Sequence, residues 1–224
     1  MPVTAEAVVI GGGVMGCSIL HALGRRGVTN ALLLERDVLA SGSTGRSQGI
    51  LRMHYSNEVT TRLAWESLRT FKFFDETVGG QSGYAKAGYL LVVGPDERQA
   101  LTENVRFQQS IGVRTEVLSP SQAQDIAPAV AFAEDETCAY EPKSGYADPY
   151  LVTHGYAAAA RGLGSTIRTS TPATGIEIDH GRVAGVTHSG GEVSTPIAVV
   201  AVGPWSKELL RPLGVDLPLE TVRH

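Results

Sequence analysis

Residues 5–20, AEAVVIGGGVMGCSIL, constrain the fold more than any other stretch of this chain. The apolar run 7–10 reads as a short buried strand. Gly11, Gly13 and Gly16 follow in the spacing G-x-G-x-x-G, and a helical pattern begins at once. The first glycine permits a tight turn, the second lets a pyrophosphate approach the backbone, and the third lets helix and strand pack closely. The N–H groups and the positive dipole end of that helix suit a diphosphate. Residues 31–34 form the next apolar strand. Glu35 closes it, 35 − 16 = 19 positions past the last glycine, where an acid accepts hydrogen bonds from a ribose. Strand, glycines, helix, second strand and terminal acid occur in order, so the segment reads as a dinucleotide site. An ordinary glycine-rich turn between strand and helix would not require the acid.

Bulk properties exclude several classes. A net charge of −4 with no long run of one sign argues against nucleic-acid binding. The longest apolar runs are strand-sized, so no membrane span is expected. The amino terminus lacks a basic segment and reads as the first strand, not as a signal peptide. Cys17 and Cys138 form neither a disulfide framework nor a metal spacing, which fits a reducing cytoplasm. Cys17, on the first helix, reads as a small buried hydrophobe rather than a reactive thiol. The histidines at 21, 54, 154, 180, 188 and 224 show no ligand spacing, and no metal is assigned.

Along the chain, a helix is expected over 14–26 with Gly27 as its stop, and a loop over 40–49. A single long helix is expected over 58–78, ended by Gly79-Gly80, with Phe71, Phe73 and Phe74 in a core. Strands at 88–93 and 114–118 and helices at 95–111 and 119–126 lack a regular strand–helix–strand rhythm. They read as an insertion with its own small sheet. A helix over 149–163, short strands at 167, 173–178, 182–188 and 193, and an apolar strand over 197–202 return to the nucleotide-binding layout. Residues 217–224 begin what reads as a new strand without turn or partner, as a truncated polypeptide would.

The loop 41–52, SGSTGRSQGILR, offers hydroxyls, glycines and N–H groups that suit phosphates. Four elements together resemble the flavin-dependent amine-oxidising family of sarcosine oxidase, glycine oxidase and D-amino-acid oxidase. They are GGGVMG with Glu35-Arg36, the Ser-Thr-Gly-Arg-Ser loop with Gly49, the segment GYADPYLVTHGYAAAA at 145–160, and VVAVGPWS at 199–206. The likeness spans nearly the whole chain and leans toward the sarcosine oxidase β-subunit and dimethylglycine dehydrogenase members.

The resemblance implies FAD as the cofactor. Gly11, Gly13 and Gly16, with the N–H groups of Val14 and Met15, would hold its diphosphate. Glu35 would take the adenosine ribose and Arg36 would lie beside the adenine. Ser43, Thr44, Ser47, Gln48 and Gly49 would contact diphosphate, ribityl chain or ring edge. Ala173 would reach the adenine through its backbone, with Gly203 and Trp205 packed near the cofactor. Arg52 would pair with a substrate carboxylate, with His54 and Tyr55 facing the same cavity. Some relatives attach flavin through a histidine just after the loop threonine. This chain has Gly45 and Arg46 there, and His154 lies too deep in its helix to substitute, so non-covalent FAD is expected.

The implied reaction is hydride transfer from the carbon beside the nitrogen of an amino acid or N-methylated amine to flavin, with oxygen or another molecule as final acceptor. A catalytic base is not assigned, because an amine that binds neutral needs none. Two other readings stay open. One is a non-catalytic FAD-binding subunit, or an inactive fragment that needs a partner chain or an oligomer; the other is an NAD(P)-linked dehydrogenase, against which the Ser-Thr-Gly-Arg-Ser loop and the VVAVGPW strand argue. The expected fold is α/β: a three-layer Rossmann-like FAD-binding domain with a mostly parallel sheet, over 1–80 and 141–215. A smaller α+β substrate domain over 81–140 and 216–224 interrupts it, and the family fold continues past residue 224.

Overall fold

The computed structural model describes residues 3–220. The chain packs as two compact units, Met1–Ser47 with Val78–Gln81 and Pro149–His224, and Gln48–Thr77 with Ser82–Asp148.

Four apolar runs of the first unit pair as a parallel sheet, in the order Ala198–Val200, Ala7–Ile10, Ala31–Leu34, Thr166–Arg168. Successive side chains on a strand point to opposite faces. Val9 and Leu33 therefore meet Cys17 and Leu20 of the helix Val14–Arg25 and Ala157 and Ala160 of the helix Pro149–Gly162. Val8, Ile10, Leu32 and Leu34 meet Ile176, Val186 and Val193 on the other face. Burial from both sides explains why these strands read as continuous apolar runs. The opposite layer is not helical. It is an antiparallel sheet of Ala173–Asp179, Arg182–His188 and Gly191–Ser194, with Val3–Thr4 added in parallel at its edge. Helices, parallel sheet and antiparallel sheet make three layers. The run expected as a strand over 197–202 is regular only at Ala198–Val200. Residues 217–220 carry no regular structure, and the remainder of the strand expected over 217–224 lies outside the described residues.

In the second unit, Thr137–Glu141 is the central strand between Tyr89–Val93 and Glu116–Leu118, all antiparallel. Leu91, Val93 and Ala139 face Leu101 and Val105 of the helix Arg98–Ile111. Leu90, Val92 and Cys138 face Ala123 of the helix Pro120–Ile126, which Ser119 and Gln122 open with a reciprocal capping box. A two-stranded ribbon pairs Ile50–Leu51 with Gly145–Tyr146.

Two expectations need correction. The helix expected over 58–78 is Glu58–Lys72, then a break at Phe73, then the single turn Phe74–Thr77. The Phe71 carbonyl accepts from Ser82 Oγ at 2.6 Å, outside the helical ladder. The break turns Phe74 inward, whereas Phe73, expected in the core, is 41% exposed beside the Lys72 ammonium. Leu63, on the helix before the break, is 65% exposed. The second concerns the boundary drawn at residue 80. Residues 48–77 pack with 82–148 instead, because Met53, Leu68 and Val113 share one cluster with Trp65 and Tyr84.

Candidate functional site

A cleft of about 810 Å³ opens at the carboxyl ends of three parallel strands, lined by Ile10, Leu34 and Val200 and by the segments that follow each. Its size is that of a small-molecule site, and its position is where open α/β sheets bind ligands. The turn that floors it is glycine by necessity. Gly11 has φ +110°, and a Cβ there would lie 2.5 Å from the Ala201 carbonyl oxygen. A Cβ on Gly16 would strike the Gly11 carbonyl, so helix and turn touch main chain to main chain. Gly13 is the helix N-cap and has no side chain to cap it. Thr44 Oγ1 instead accepts from Val14 N–H at 3.1 Å. The first turn leaves further N–H groups without helical acceptors, and Gly13 and Met15 are part of the cleft wall.

Glu35 is 8% exposed and lines the cleft. One of its oxygens accepts from Gly12 N–H at 2.6 Å, the other from Asp37 N–H at 2.8 Å. A carboxylate has about four acceptor positions, so capacity remains for two vicinal hydroxyls. The Arg36 guanidinium lies 4.3 Å from the Trp205 ring centroid, and both residues line the cleft. Ser43, Thr44, Ala173 and Gly203 line it as well. Ser47, in the 3₁₀ turn's exit, is not on that wall. Gln48 and Gly49 belong to the second unit, where the Gly49 carbonyl accepts from Ala147 N–H at 3.0 Å.

Gly12 was not singled out from the sequence. A Cβ on it would approach Leu39 Cδ2 to 2.7 Å and Glu35 Cβ to 2.9 Å, and its place in the middle of the GGG run is its only signal. Gly45, where some relatives carry a histidine, has no room for a side chain: a Cβ would strike the Ala40 carbonyl and sit 2.7 Å from the Tyr150 hydroxyl.

Cys17 lies under the turn, fully buried, its thiol 3.8 Å from the Gly12 carbonyl. Burial pushes the thiol up to about 12, with Arg161 opposing and Glu35 adding to the effect. It is a packed hydrophobe, not a nucleophile.

Arg52, His54 and Tyr55 lie together in the second unit. Arg52 Nη1 donates to the His54 carbonyl at 2.6 Å. Its guanidinium carbon is 4.7 Å from the Tyr55 ring centroid and 5.6 Å from that of Tyr89. The His54 side chain is 7% exposed and faces Glu141 at 3.6 Å.

Among the described residues no group of three or more His, Cys, Asp or Glu is placed to hold a metal ion, and no helix is long and apolar enough to cross a membrane.

Strand-end cleft, glycine turn and terminal acid define a nucleotide-binding flavoprotein fold, and the comparisons agree. Residues 6–224 match the family model described as FAD dependent oxidoreductase, and the chain belongs to that family. It is 33% identical to the mitochondrial sarcosine dehydrogenase of Homo sapiens over its whole length, spanning 25% of that protein. Among solved structures it superposes on the L-proline dehydrogenase of P. horikoshii with a TM-score of 0.89 and 28% identity, covering 98% of this chain and 58% of that one. Glycine oxidase from Bacillus cereus gives 0.78 and 27%, covering 93% of this chain and 58% of that one. The chain thus spans about a quarter of the curated relative and just under three fifths of these structures. The family's cofactor fits the residues present. Gly13 faces the cleft without a Cβ, which would lie 3.0 Å from Thr44 Oγ1, and so leaves the helix N-terminus open to the cleft.

Proposed function

We propose that the chain is the FAD-binding part of an oxidoreductase that oxidises the C–N bond of an amino acid or N-methylated amine. The observation that carries this reading is the cleft itself, a glycine turn at the strand ends with a buried acid at its rim. The names of the sarcosine, proline and glycine relatives supply the substrate class.

In this reading Gly11, Gly13 and Gly16 leave space for the diphosphate, and the N–H groups of Val14 and Met15 face its charge. Glu35 accepts from the ribose hydroxyls while its Gly12 and Asp37 partners hold it in place. Arg36, stacked on Trp205, flanks the adenine, and Ala173 meets it through main chain. Ser43, Thr44, Ser47, Gln48 and Gly49 follow the diphosphate toward the ring, with Gly203 and Trp205 behind it. FAD, when bound, supplies the acceptor for the hydride that leaves the carbon beside nitrogen. No covalent link is needed, since the cradle is made of main chain and Gly45 leaves no side chain to form one.

Arg52 receives the substrate carboxylate through parallel charge-assisted hydrogen bonds. Tyr55 supports it as an aromatic floor, and His54 contributes its carbonyl to Arg52 while its ring turns to Glu141. Oxygen or another molecule then takes the electrons.

The test is anaerobic addition of sarcosine, dimethylglycine, glycine, L-proline and D-alanine to the FAD-loaded protein. Bleaching of the flavin band by at least one of them is expected, and repeating the assay with oxygen or a dye identifies the acceptor class. A flavin-loaded, folded protein that none of them reduces would overturn the oxidative reading and leave FAD binding standing.

A further inference from the structure

We propose that the buried Glu141 carboxylate is a positioning residue for substrate recognition, which clamps the turn 52–55 and so sets the direction of the Arg52 guanidinium. The inference rests on Arg52 as the carboxylate-binding group and adds to it the residue that aims it.

Glu141 ends the central strand Thr137–Glu141 and is fully buried. A buried carboxyl group needs its hydrogen-bond partners in place. Here one oxygen is served twice: it accepts from Met53 N–H at 2.9 Å and from Ser144 Oγ at 2.6 Å. The other oxygen has no hydrogen bond and faces His54 Nδ1 at 3.6 Å, which has none either. One carboxyl oxygen thus holds the main chain of Met53, and the other lies beside the ring of His54.

Two short links carry this grip to Arg52. Tyr55 N–H donates to the Met53 carbonyl at 2.7 Å and closes the turn. The His54 carbonyl receives Arg52 Nη1. The Met53 side chain, 1% exposed, anchors the same turn in the cluster with Leu68 and Val113. Arg52 is therefore pinned at one N–H and flanked by the Tyr55 and Tyr89 rings. A guanidinium so held presents its remaining N–H groups in one direction, the condition for two-point capture of a carboxylate.

Glu141→Gln keeps the volume but places an amide where the carboxylate meets Met53 N–H, Ser144 and His54. Equilibrium binding to the FAD-loaded protein is measured with sarcosine and with N-methylethylamine, which lacks the carboxylate. Glu141→Gln is expected to weaken sarcosine binding about tenfold, because the Met53 and Ser144 donors then meet a neutral amide oxygen in place of a carboxylate, and charge-assisted hydrogen bonds are the stronger. N-methylethylamine binding stays the same. In the Arg52→Ala background Glu141→Gln has no further effect, because the group it aims is gone. Ser144→Ala removes one donor and leaves the carboxylate; it weakens sarcosine binding by a smaller factor and keeps the proposal testable if Glu141→Gln does not fold. Equal loss for both ligands, or an additive double variant, would reduce Glu141 to a structural role and overturn the inference. Sarcosine binding that Arg52→Ala weakens but neither Glu141→Gln nor Ser144→Ala changes would overturn it alone. Sarcosine binding untouched by Arg52→Ala would remove the reading beneath it.

Discussion

The cleft at the strand ends and the turn around Arg52 solve recognition with different materials. The first is mostly main chain. Glycines at 11 and 16 let backbone approach backbone, those at 12 and 13 leave room for the side chains of Glu35 and Thr44, and the buried acid at its rim is held by two N–H groups from neighbouring turns. The second is mostly side chain. A carboxylate, an imidazole, a guanidinium and two phenol rings hold one another over a strand end. A main-chain site tolerates no added atom, whereas a side-chain site tolerates substitution and loses aim.

Substitutions break or sharpen that contrast in order of size. Gly13→Val should abolish flavin binding in a folded protein, because its side chain would occupy the diphosphate's path beside Thr44 Oγ1. Flavin content by absorbance checks it, and full occupancy in the variant would move the cofactor elsewhere. Arg52→Ala should raise KM for amino-acid substrates on the order of thirtyfold or more while leaving flavin content unchanged, since a charge pair loses one partner. Steady-state kinetics decide, and an unaltered KM removes Arg52 from the site. Glu35→Ala leaves the Gly12 and Asp37 N–H groups without acceptors. A loss of about 2 kcal/mol, or roughly 5 °C in Tm, is expected even without flavin, and an unchanged Tm would show that the acid is not structural.

The smallest effect concerns Cys17. Its thiol is held up to about 12 against an ordinary 9.0. The folded thiol stays protonated while the unfolded one ionises, so its contribution to stability is complete below pH 9 and is lost as pH rises toward 12. Alkylation between pH 8 and pH 10 should label Cys17 only after denaturation. Prompt labelling of the native protein would show that the turn opens.

The two regions were not equally legible in the sequence. The glycine turn is local: strand, glycines, helix and acid fall within 29 residues, 35 − 7 + 1. Its chemistry follows from spacing, and the strands Ala7–Ile10 and Ala31–Leu34 lie where their apolar runs predict. The Arg52 turn depends on Glu141, 88 positions beyond Met53. No spacing rule links them. The strand that carries Glu141 reads TCAYE, too short and too polar at its ends to register as a core strand, yet it is the centre of its sheet. The helix over 58–72 was legible, but its end was not. Phe71 and Phe74 at helical spacing suggest one continuous helix, whereas the Ser82 hydroxyl takes the Phe71 carbonyl and, of Phe71, Phe73 and Phe74, only Phe74 is buried. The 173–194 segment was legible as strands, but its pairing into a separate antiparallel layer rests on contacts with Val8, Ile10, Leu32 and Leu34.

The most direct test of the account is the visible spectrum of the purified chain after incubation with FAD and removal of the unbound cofactor. The account predicts flavin absorbance that co-elutes with the folded protein near one per chain and disappears in Gly13→Val. A folded, colourless chain that retains no FAD under these conditions would contradict it.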